Sequence, residues 1–419
     1  MKNMNNSQVS RDTRENFFSD AGGGGQKNIS PLGILTKSHS TLMQSSISEV
    51  KTSRIKRQHD YILQDRAREL LPKERVSGCL IKRVNKNYPV QVAYNPNTQK
   101  THYHNVQRCG SISSCKVCAK IVTEKRRAEL KKGTKTWKDI GGNLYFISLT
   151  SRHNSNTRFR ALKEGQSKAQ YYFFTGRKAE KLFAELGKIG HITANETTYS
   201  PENGHHPHKH ILIFSDKKLS KLELDEMQLK LALHWQHCCK LAGIELPDLK
   251  HGLDLRDGTY ADQYLSKWGI EEEMTKSQQK QGKNGSYTPW DLLELSIDDI
   301  PLSNGKLPSK LFQEYALVFK GARLLSWTNG LKKLLNVIDV DDEDVVQETD
   351  KTSFIVHNVS ALIFALIKKN KVRHLYLDWI KQDIIKYGLD NEAKVDYADD
   401  YNNSTVKQNI DILLLKELE

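Results

Sequence analysis

The pattern of apolar and polar positions along this chain predicts strands and helices in alternation. Residues 144–150 form a continuous run of aliphatic, aromatic and β-branched residues after a glycine pair, which is typical of an interior strand. Residues 192–199 are rich in β-branched residues, residues 211–214 are apolar throughout, and the turn residues between them predict a hairpin. Helical stretches over residues 167–186 and 222–241 flank this hairpin.

The same pattern divides the chain into regions. The first residues are rich in Asn, Ser, Gly and Lys and lack apolar periodicity, so we expect them to be disordered. Apolar periodicity over residues 288–293 and 311–327 predicts helices at the end of a main domain, and the acidic cluster at 339–344 marks a boundary. The predicted regions are a disordered N-terminus (1–50), a basic region with a cysteine cluster (51–135), the main domain (140–335) and a small helical C-terminal region (336–419).

Charge indicates the kind of partner. The chain has 419 residues, a formal net charge of +14 and a pI near 9.2. Nucleic acid is the first candidate, because neutralisation of phosphates by Lys and Arg supplies most of the non-specific affinity for it. An acidic membrane surface is the alternative, but no apolar run reaches spanning length and no N-terminal segment has the apolar core of a signal peptide. We therefore expect a cytoplasmic protein without a membrane partner.

Histidines cluster at the predicted hairpin, where four of the fifteen in the chain fall within residues 205–210. Because strand side chains alternate between faces, His206, His208 and His210 should share one face. Folding the hairpin about its turn places Glu196 roughly opposite His208, so two imidazoles and one carboxylate could bind one cation. Open coordination positions beside these ligands suit Mg²⁺ or Mn²⁺ and a phosphate oxygen. The alternative is a histidine-rich turn exposed to solvent.

The six cysteines are distributed unevenly, which the disulfide framework of a secreted protein would not show. Cys115 and Cys118 have the Cys-x2-Cys spacing of a zinc knuckle, in which two thiolates on a tight turn share a tetrahedral ion. The alternative is a loop of reduced thiols without metal. The candidate zinc ligands are Cys79, Cys109, Cys115 and Cys118, with His104 or His102 as substitutes for Cys79.

Basic segments lie on both sides of the cysteines. Basic residues dominate residues 51–73, with Tyr61, Leu63 and Leu70 interspersed at loosely helical spacing, which fits either a DNA-contacting helix or a solvated helix face. Residues 119–132 predict a basic helix, and its position beside the cysteines favours DNA contact. Cys238 and Cys239 lie within a predicted helix, where neighbouring side chains point about 100° apart, so core packing explains them better than metal binding.

A group with nucleophile chemistry follows the predicted sheet. Tyr260 and Tyr264 are four residues apart and Lys267 lies three further on, so one helix face would carry two phenols and an ammonium group. Tyr is among the side chains that form covalent intermediates, and a nearby ammonium group stabilises the phenolate of a side chain whose ordinary pKa is ~10. The alternative is a pair of tyrosines packed on a sheet with their hydroxyls at the rim.

With these motifs in view, the chain resembles the rolling-circle replication initiator (Rep) proteins of plasmids, within the HUH endonuclease superfamily. Phe146-Ile-Ser-Leu-Thr150 is similar to the first strand motif of that family, Asn203-Gly-His-His-Pro-His-Lys-His-Ile-Leu to its metal motif, and Tyr264-Leu-Ser-Lys-Trp-Gly to its nucleophile motif. The ordered set is far more specific than any one motif. The resemblance covers roughly residues 75–335, because the cysteine segment, Glu314-Tyr-Ala, Phe319-Lys-Gly and Trp327 are also similar to this family.

The resemblance implies an α+β fold, with an HUH endonuclease domain whose central antiparallel sheet is flanked by helices, preceded by a zinc knuckle and followed by a helical region. It implies that Tyr264 nicks one strand of a plasmid origin, leaving a 5′-phosphotyrosine and a free 3′-hydroxyl, and that His208 and His210 bind the catalytic Mg²⁺ or Mn²⁺. We assign Glu196 as the third ligand, with His206 as its substitute. The implied partners are origin DNA, single-stranded at the nick site, and a host helicase and polymerase.

The chain departs from the family pattern at three positions. Lys209 stands where a hydrophobic residue is usual, His205 where a tryptophan is common, and Tyr260 where some initiators have a glutamate that releases the product by hydrolysis. A relaxase or transposase of the same superfamily would share the main motifs, although the sequence contains no Walker-type phosphate loop of an associated helicase. A non-catalytic zinc-knuckle DNA-binding regulator would explain the charge and the cysteines but not the histidines and tyrosines.

Overall fold

The structure is a computed structural model that describes residues 55–257, 285–348 and 352–387. The strands in these residues are β1 (Val90–Asn95), β2 (Lys100–His104), β3 (Asn143–Leu149), β4 (Lys188–Ser200), β5 (Gly204–Ser215), β6 (Leu253–Arg256), β7 (Leu325–Trp327) and β8 (Phe354–Val359). The helices are α1 (55–70), α2 (Lys116–Asp139), α3 (Phe159–Phe174), α4 (Arg177–Glu185), α5 (Lys221–Ala242), α6 (Pro289–Leu295), α7 (Pro308–Val318), α8 (Leu331–Leu334), α9 (Asp342–Glu348), α10 (Ala361–Lys369) and α11 (Arg373–Tyr387).

The larger sheet has, within the described residues, five antiparallel strands in the order β6-β3-β5-β4-β7. The predicted hairpin forms its centre as β4 and β5, and Gly204 closes the turn with a φ of 81°, a conformation that glycine adopts without a steric penalty. Its register places Glu196 directly opposite His208, as predicted. The strand predicted at residues 144–150 is β3, which lies between β5 and β6 and is therefore interior.

Both faces of the larger sheet are covered by other elements. Ile213 packs with α3, α4 and α5 on one face, and its neighbour Phe214 packs with α2 and α8 on the other. Because both faces are buried, residues 211–214 are apolar at every position instead of alternating with polar residues. Cys238 and Cys239 of α5 are buried in the first of these cores, which confirms their predicted packing role.

The helices around the sheet differ from the prediction in two places. The helix predicted over residues 167–186 is divided into α3 and α4, because Gly176 between them has a φ of 90° that does not continue a helix. The helix predicted over 311–327 ends with α7, and the last three residues of that range form the edge strand β7. No described helix has both the length and the apolar composition that crossing a membrane requires.

The smaller sheet joins the cysteine region to the C-terminal region, with β1 pairing antiparallel to both β2 and β8. The elements α10 and α11 pack on it: the Tyr103 ring meets Phe364 edge to face at 5.8 Å, and its hydroxyl donates to the Arg373 carbonyl at 2.9 Å. The C-terminal region, predicted to be small and helical, is therefore not helical alone. It contains the strand β8, whose first residues are β-branched or aromatic, as strands favour.

Two arginines of the basic helix α1 are used inside the fold. Arg57 Nη1 lies 3.0 Å from Asp378 Oδ1 of α11, and Arg68 pairs with Asp65. Leu63 on the same helix is buried in the core that α1 shares with the smaller sheet. For these arginines the structure supports neither of the two alternatives considered above, because their charges are paired within the protein.

Candidate metal centres

Glu196, His208 and His210 converge on one face of the larger sheet, where β4 and β5 run side by side. Nε2 of His208 lies 3.2 Å, and Nε2 of His210 lies 3.0 Å, from the same Glu196 oxygen, Oε2. One candidate ligand atom from each residue lies within 4.8 Å of the others. The structure thus brings together three residues selected from the sequence, and two imidazoles with one carboxylate are a donor set that could hold a divalent ion.

Neighbouring groups orient both imidazoles. Nδ1 of His208 lies 3.2 Å from the carbonyl oxygen of His206, and because a carbonyl can only accept, this nitrogen carries a proton. Nδ1 of His210 lies 3.2 Å from Ser148 Oγ on β3, and the Phe146 ring stacks on His210 with 5.4 Å between centroids. Contacts of this kind fix the ring orientation and leave Nε2 available to a cation.

The electrostatics of this group favour a negatively charged Glu196. Burial alone would raise the pKa of Glu196, but hydrogen bonds from His208 and His210 outweigh burial and hold that pKa well below its usual range. A carboxylate that stays ionised beside two imidazoles is suited to a cation. The buried phenol of Tyr315 on α7 feels the same charge, because burial raises the pKa of Tyr315 and Glu196 raises it further. No sequence pattern places Tyr315 at this centre.

His206, the substitute ligand, lies two residues nearer the turn than His208 and contacts a different residue. Its Nδ1 lies 3.3 Å from Nε2 of His153, and the two rings are 4.7 Å apart between centroids. Burial lowers the pKa of His206 to about 4, with a further contribution from His208. His153, which follows β3, was not predicted from the sequence, because no motif spacing links it to the other histidines. His206 is therefore adjacent to the group formed by Glu196, His208 and His210 but does not belong to it.

The two departures within the metal motif point away from this group. Lys209 is buried on the opposite face, where its Nζ donates to Asn195 Oδ1 at 2.7 Å, and burial lowers its pKa to about 8. Strand alternation, which places His206, His208 and His210 on one face, accounts for this position of Lys209. His205 stacks on Phe159 with 3.9 Å between centroids and lies 3.5 Å from Glu314, so it fills a packing position.

The four predicted cysteine ligands also converge. The sulfur of Cys79 lies 3.8 Å from that of Cys115 and 3.6 Å from that of Cys118, and the sulfurs of Cys109 and Cys118 are 3.7 Å apart. Tetrahedral coordination with metal–sulfur bonds of ~2.3 Å places sulfurs about 3.8 Å apart, so the spacing fits a four-thiolate metal ion. All four side chains are buried and their ligand atoms lie within 4.8 Å of one another.

The substitute ligand His104 is engaged elsewhere, since its Nδ1 lies 3.1 Å from Gln91 Oε1 on the adjacent strand. The thiols themselves share protons unequally. Burial would raise the pKa of Cys115, but hydrogen bonds from the neighbouring thiols lower it well below its ordinary value. The same contacts raise the pKa of Cys118. The group thus favours negative charge on at least one sulfur, which suits a cation.

The predicted nucleophile segment, with Tyr260, Tyr264 and Lys267, lies outside the described residues. The described chain borders it at the sheet: β6 pairs with β3, and Tyr287 forms a bridge with Tyr199 near the end of β4. The tyrosine assignments therefore stay predictions.

The described residues define an α+β protein with antiparallel sheets flanked by helices and two groups of side chains able to hold metal ions. A protein of Streptomyces lividans named Protein rep is similar to this chain. The two are 25% identical over an alignment of 310 residues, covering 58% of this chain and 68% of that protein. No protein-family model and no solved structure matches the chain. This similarity supports, at the level of the family only, the resemblance of the chain to plasmid Rep proteins.

Proposed function

We propose that this protein initiates rolling-circle replication of a plasmid by nicking one DNA strand at the origin through a metal-dependent attack by Tyr264. The observation that carries the proposal is the convergence of Glu196, His208 and His210 on one sheet face, at the register that the sequence predicted. Similarity to a protein named Protein rep supports the same function independently of this geometry.

In the proposed reaction the Tyr264 oxygen attacks the scissile phosphorus and the bond from phosphorus to the 3′ oxygen breaks. The products are a 5′-phosphotyrosine and a 3′-hydroxyl, with the phenol proton transferred overall to the 3′ oxygen. Lys267 offsets negative charge on the phenolate or the phosphate. Because the protein supplies the attacking oxygen, no water has to be activated in this step.

The residues on β4 and β5 supply the rest of the chemistry. Glu196, His208 and His210 would hold Mg²⁺ or Mn²⁺, which polarises phosphoryl oxygens and orients the target phosphate when bound. Ser148 and the His206 carbonyl keep the two imidazoles turned towards that position. The sulfurs of the cysteine group would hold Zn²⁺ as a structural ion, as their spacing supports.

The substrate in this proposal is plasmid origin DNA that is single-stranded at the nick. The protein would act in the cytoplasm together with a host helicase and polymerase. A strand freed from its complement can reach a pocket and stack its bases on aromatic side chains. The domain organisation proposed from the sequence assigns nicking to residues 140–335, and DNA contact to this domain together with the basic region 51–135.

The test is to incubate the protein with single-stranded origin oligonucleotides and Mn²⁺, and to look for a protein–DNA adduct by denaturing gel and mass spectrometry. His208→Ala and His210→Ala should abolish the adduct and leave origin binding within a few-fold, because binding draws on many phosphate contacts and cleavage needs a complete metal centre. Either variant nicking at the wild-type rate with a divalent ion would show that the metal assignment is wrong. A regulator without catalysis would bind the origin and give no adduct.

A further inference from the structure

A chain of buried polar contacts leads from the cysteine group to the C-terminal region. Gln64 of α1 is fully buried, and its Nε2 lies 3.1 Å from Cys115 Sγ and 3.4 Å from Cys79 Sγ. Its oxygen, Oε1, accepts from Arg373 Nη1 of α11 at 3.0 Å. Because arginine can only donate, the amide oxygen must face Arg373, and both amide hydrogens are directed at the sulfurs.

The charges along this chain favour negative sulfurs. Arg373, which is 1% exposed, pairs with Asp65 through Nη2 at 2.7 Å, and Arg68 pairs with the same oxygen of Asp65. Among these described contacts two guanidinium groups therefore share one carboxylate. An uncompensated buried charge is costly. Four thiolates around a divalent ion carry a net charge of −2 and would offset the excess, whereas four neutral thiols would not.

We propose that Gln64 and Arg373 are positioning residues of the cysteine metal site and that they make docking of residues 352–387 depend on the metal. The inference rests on the proposed zinc binding and does not involve DNA nicking. Hydrogen bonds from Gln64 stabilise thiolate charge and so favour the loaded site. The loaded site in turn holds Gln64, whose oxygen fixes Arg373 at the first turn of α11.

The proposal assigns a role to residues 352–387, whose sequence carries no functional signal. The elements β8, α10 and α11 close the smaller sheet and its core. Metal loss would remove the thiolate charge that holds Gln64, so Arg373 would keep Asp65 but lose the fixed amide oxygen at the start of α11. The C-terminal region would then detach from the cysteine group without a change in the larger sheet.

The first experiment measures the rate at which zinc passes to a chromogenic chelator. Gln64→Glu keeps the size of the side chain but replaces the donor by an oxygen that repels thiolates, and Arg373→Met keeps length without charge. Each should release zinc at least about tenfold faster than wild type, as for outer ligands of other metal sites. The control is Arg57→Met, which removes a different ion pair between α1 and α11, in which Arg57 Nη1 lies 3.0 Å from Asp378 Oδ1. None of the contacts described for Arg57 involves a sulfur.

The control should release zinc within about twofold of wild type, since a partly exposed ion pair contributes little. If Arg57→Met releases zinc as fast as Arg373→Met, general loosening of α11 explains the effect and the proposal is overturned. Gln64→Glu releasing zinc at the wild-type rate would overturn it as well.

The reciprocal experiment uses only the wild-type chain, so it does not depend on the folding of a variant. Zinc-loaded and zinc-stripped protein are digested briefly with trypsin, and cleavage after Lys369 and Lys371 is compared by mass spectrometry with cleavage after Lys178 on α4, all three side chains being exposed. Removal of zinc should accelerate cleavage at the first two positions at least about tenfold and leave the third unchanged.

Equal rates at Lys369 and Lys371 in the loaded and stripped protein would overturn the inference. Absence of zinc from the purified protein would overturn it together with the proposed zinc site. The adduct assay at the origin tests the nicking proposal separately, since neither the chelator nor the trypsin measurement uses DNA.

Discussion

Replacing Glu196 by glutamine would remove one negative charge from the candidate catalytic centre and keep the side chain almost unchanged in size. Its Oε2 is shared by two imidazole nitrogens at 3.0 and 3.2 Å, and the residue is 6% exposed. Solvent therefore has little access to replace the lost charge. The pKa of Glu196 lies well below its usual range, so the wild-type side chain is ionised at any pH suitable for an assay.

The size of the effect follows from the charge that is lost. One charge-assisted interaction contributes about 1.5–3 kcal/mol, and that free energy corresponds to a factor of roughly 10 to 150 in affinity. Glutamine keeps one oxygen that can face both imidazoles, so the orientation of the rings should survive. We therefore expect the Mn²⁺ concentration for half-maximal nicking to rise roughly 10- to 150-fold in Glu196→Gln.

The assay is a titration of adduct formation on a single-stranded origin oligonucleotide against Mn²⁺. The matched control is Glu202→Gln, which makes the same change at an exposed position in the turn between β4 and β5. It should leave the half-maximal Mn²⁺ concentration unchanged. If Glu196→Gln folds normally and needs no more Mn²⁺ than wild type, Glu196 is not a ligand and the proposed centre has to be rebuilt without it.

Three further predictions concern separate parts of the chain. Elemental analysis should find about one zinc per chain, and Cys118→Ser should lose the zinc and weaken origin binding, because a structural zinc ion contributes folding energy; protein purified without chelator and found free of zinc would contradict this. Lys209→Met should stabilise the fold, because burial lowers the pKa of Lys209 in the folded protein to about 8, whereas a lysine in the unfolded chain has a pKa of ~10.4. Between these two pH values the unfolded chain therefore binds more protons than the folded protein. Stability of the wild type then rises with pH across this window, so in urea titrations the gain from Lys209→Met should be up to about 3 kcal/mol at pH 7 and shrink towards pH 10; a gain independent of pH would refute the assignment. Tyr264→Phe should remove the main phosphotyrosine, and if Tyr260 is a second nucleophile a minor adduct should move to it in peptide mapping; no adduct in Tyr264→Phe, with complete nick-and-rejoin cycles in Tyr260→Phe, would leave Tyr264 as the sole nucleophile.

The candidate catalytic centre could be predicted because its determinants are local. The turn residues at 200–204 set the hairpin, and strand alternation then places side chains four or six residues from the turn on known faces. Glu196 and His208 are paired in the structure, as this local pattern predicts. The choice of Cys79 as a zinc ligand had less support from the sequence, because no spacing rule joins Cys79 to Cys115. The structure nevertheless places their sulfurs 3.8 Å apart.

The contacts that the sequence did not indicate are those between distant segments. Pairing of β8 with β1 joins residues more than 250 positions apart, and no local pattern records it. The same holds for Gln64, which is one polar residue in a basic helix until the fold places it against two sulfurs. His153 and His206 also meet only through the fold, across the end of β3.

The pairing of β1 with β8 has a consequence for the order of events during synthesis. β1 can pair with β2 as soon as both have emerged, but its other edge waits for a strand about 260 residues further along the chain. At about 5–20 residues per second that interval is roughly 13 to 50 seconds. During it β1 carries an open row of backbone donors and acceptors, the feature of a strand that pairs with other chains. Slow translation of the region between the two strands should therefore lower the soluble yield of this protein, and a separate peptide with the sequence of β8 should raise it when supplied during synthesis.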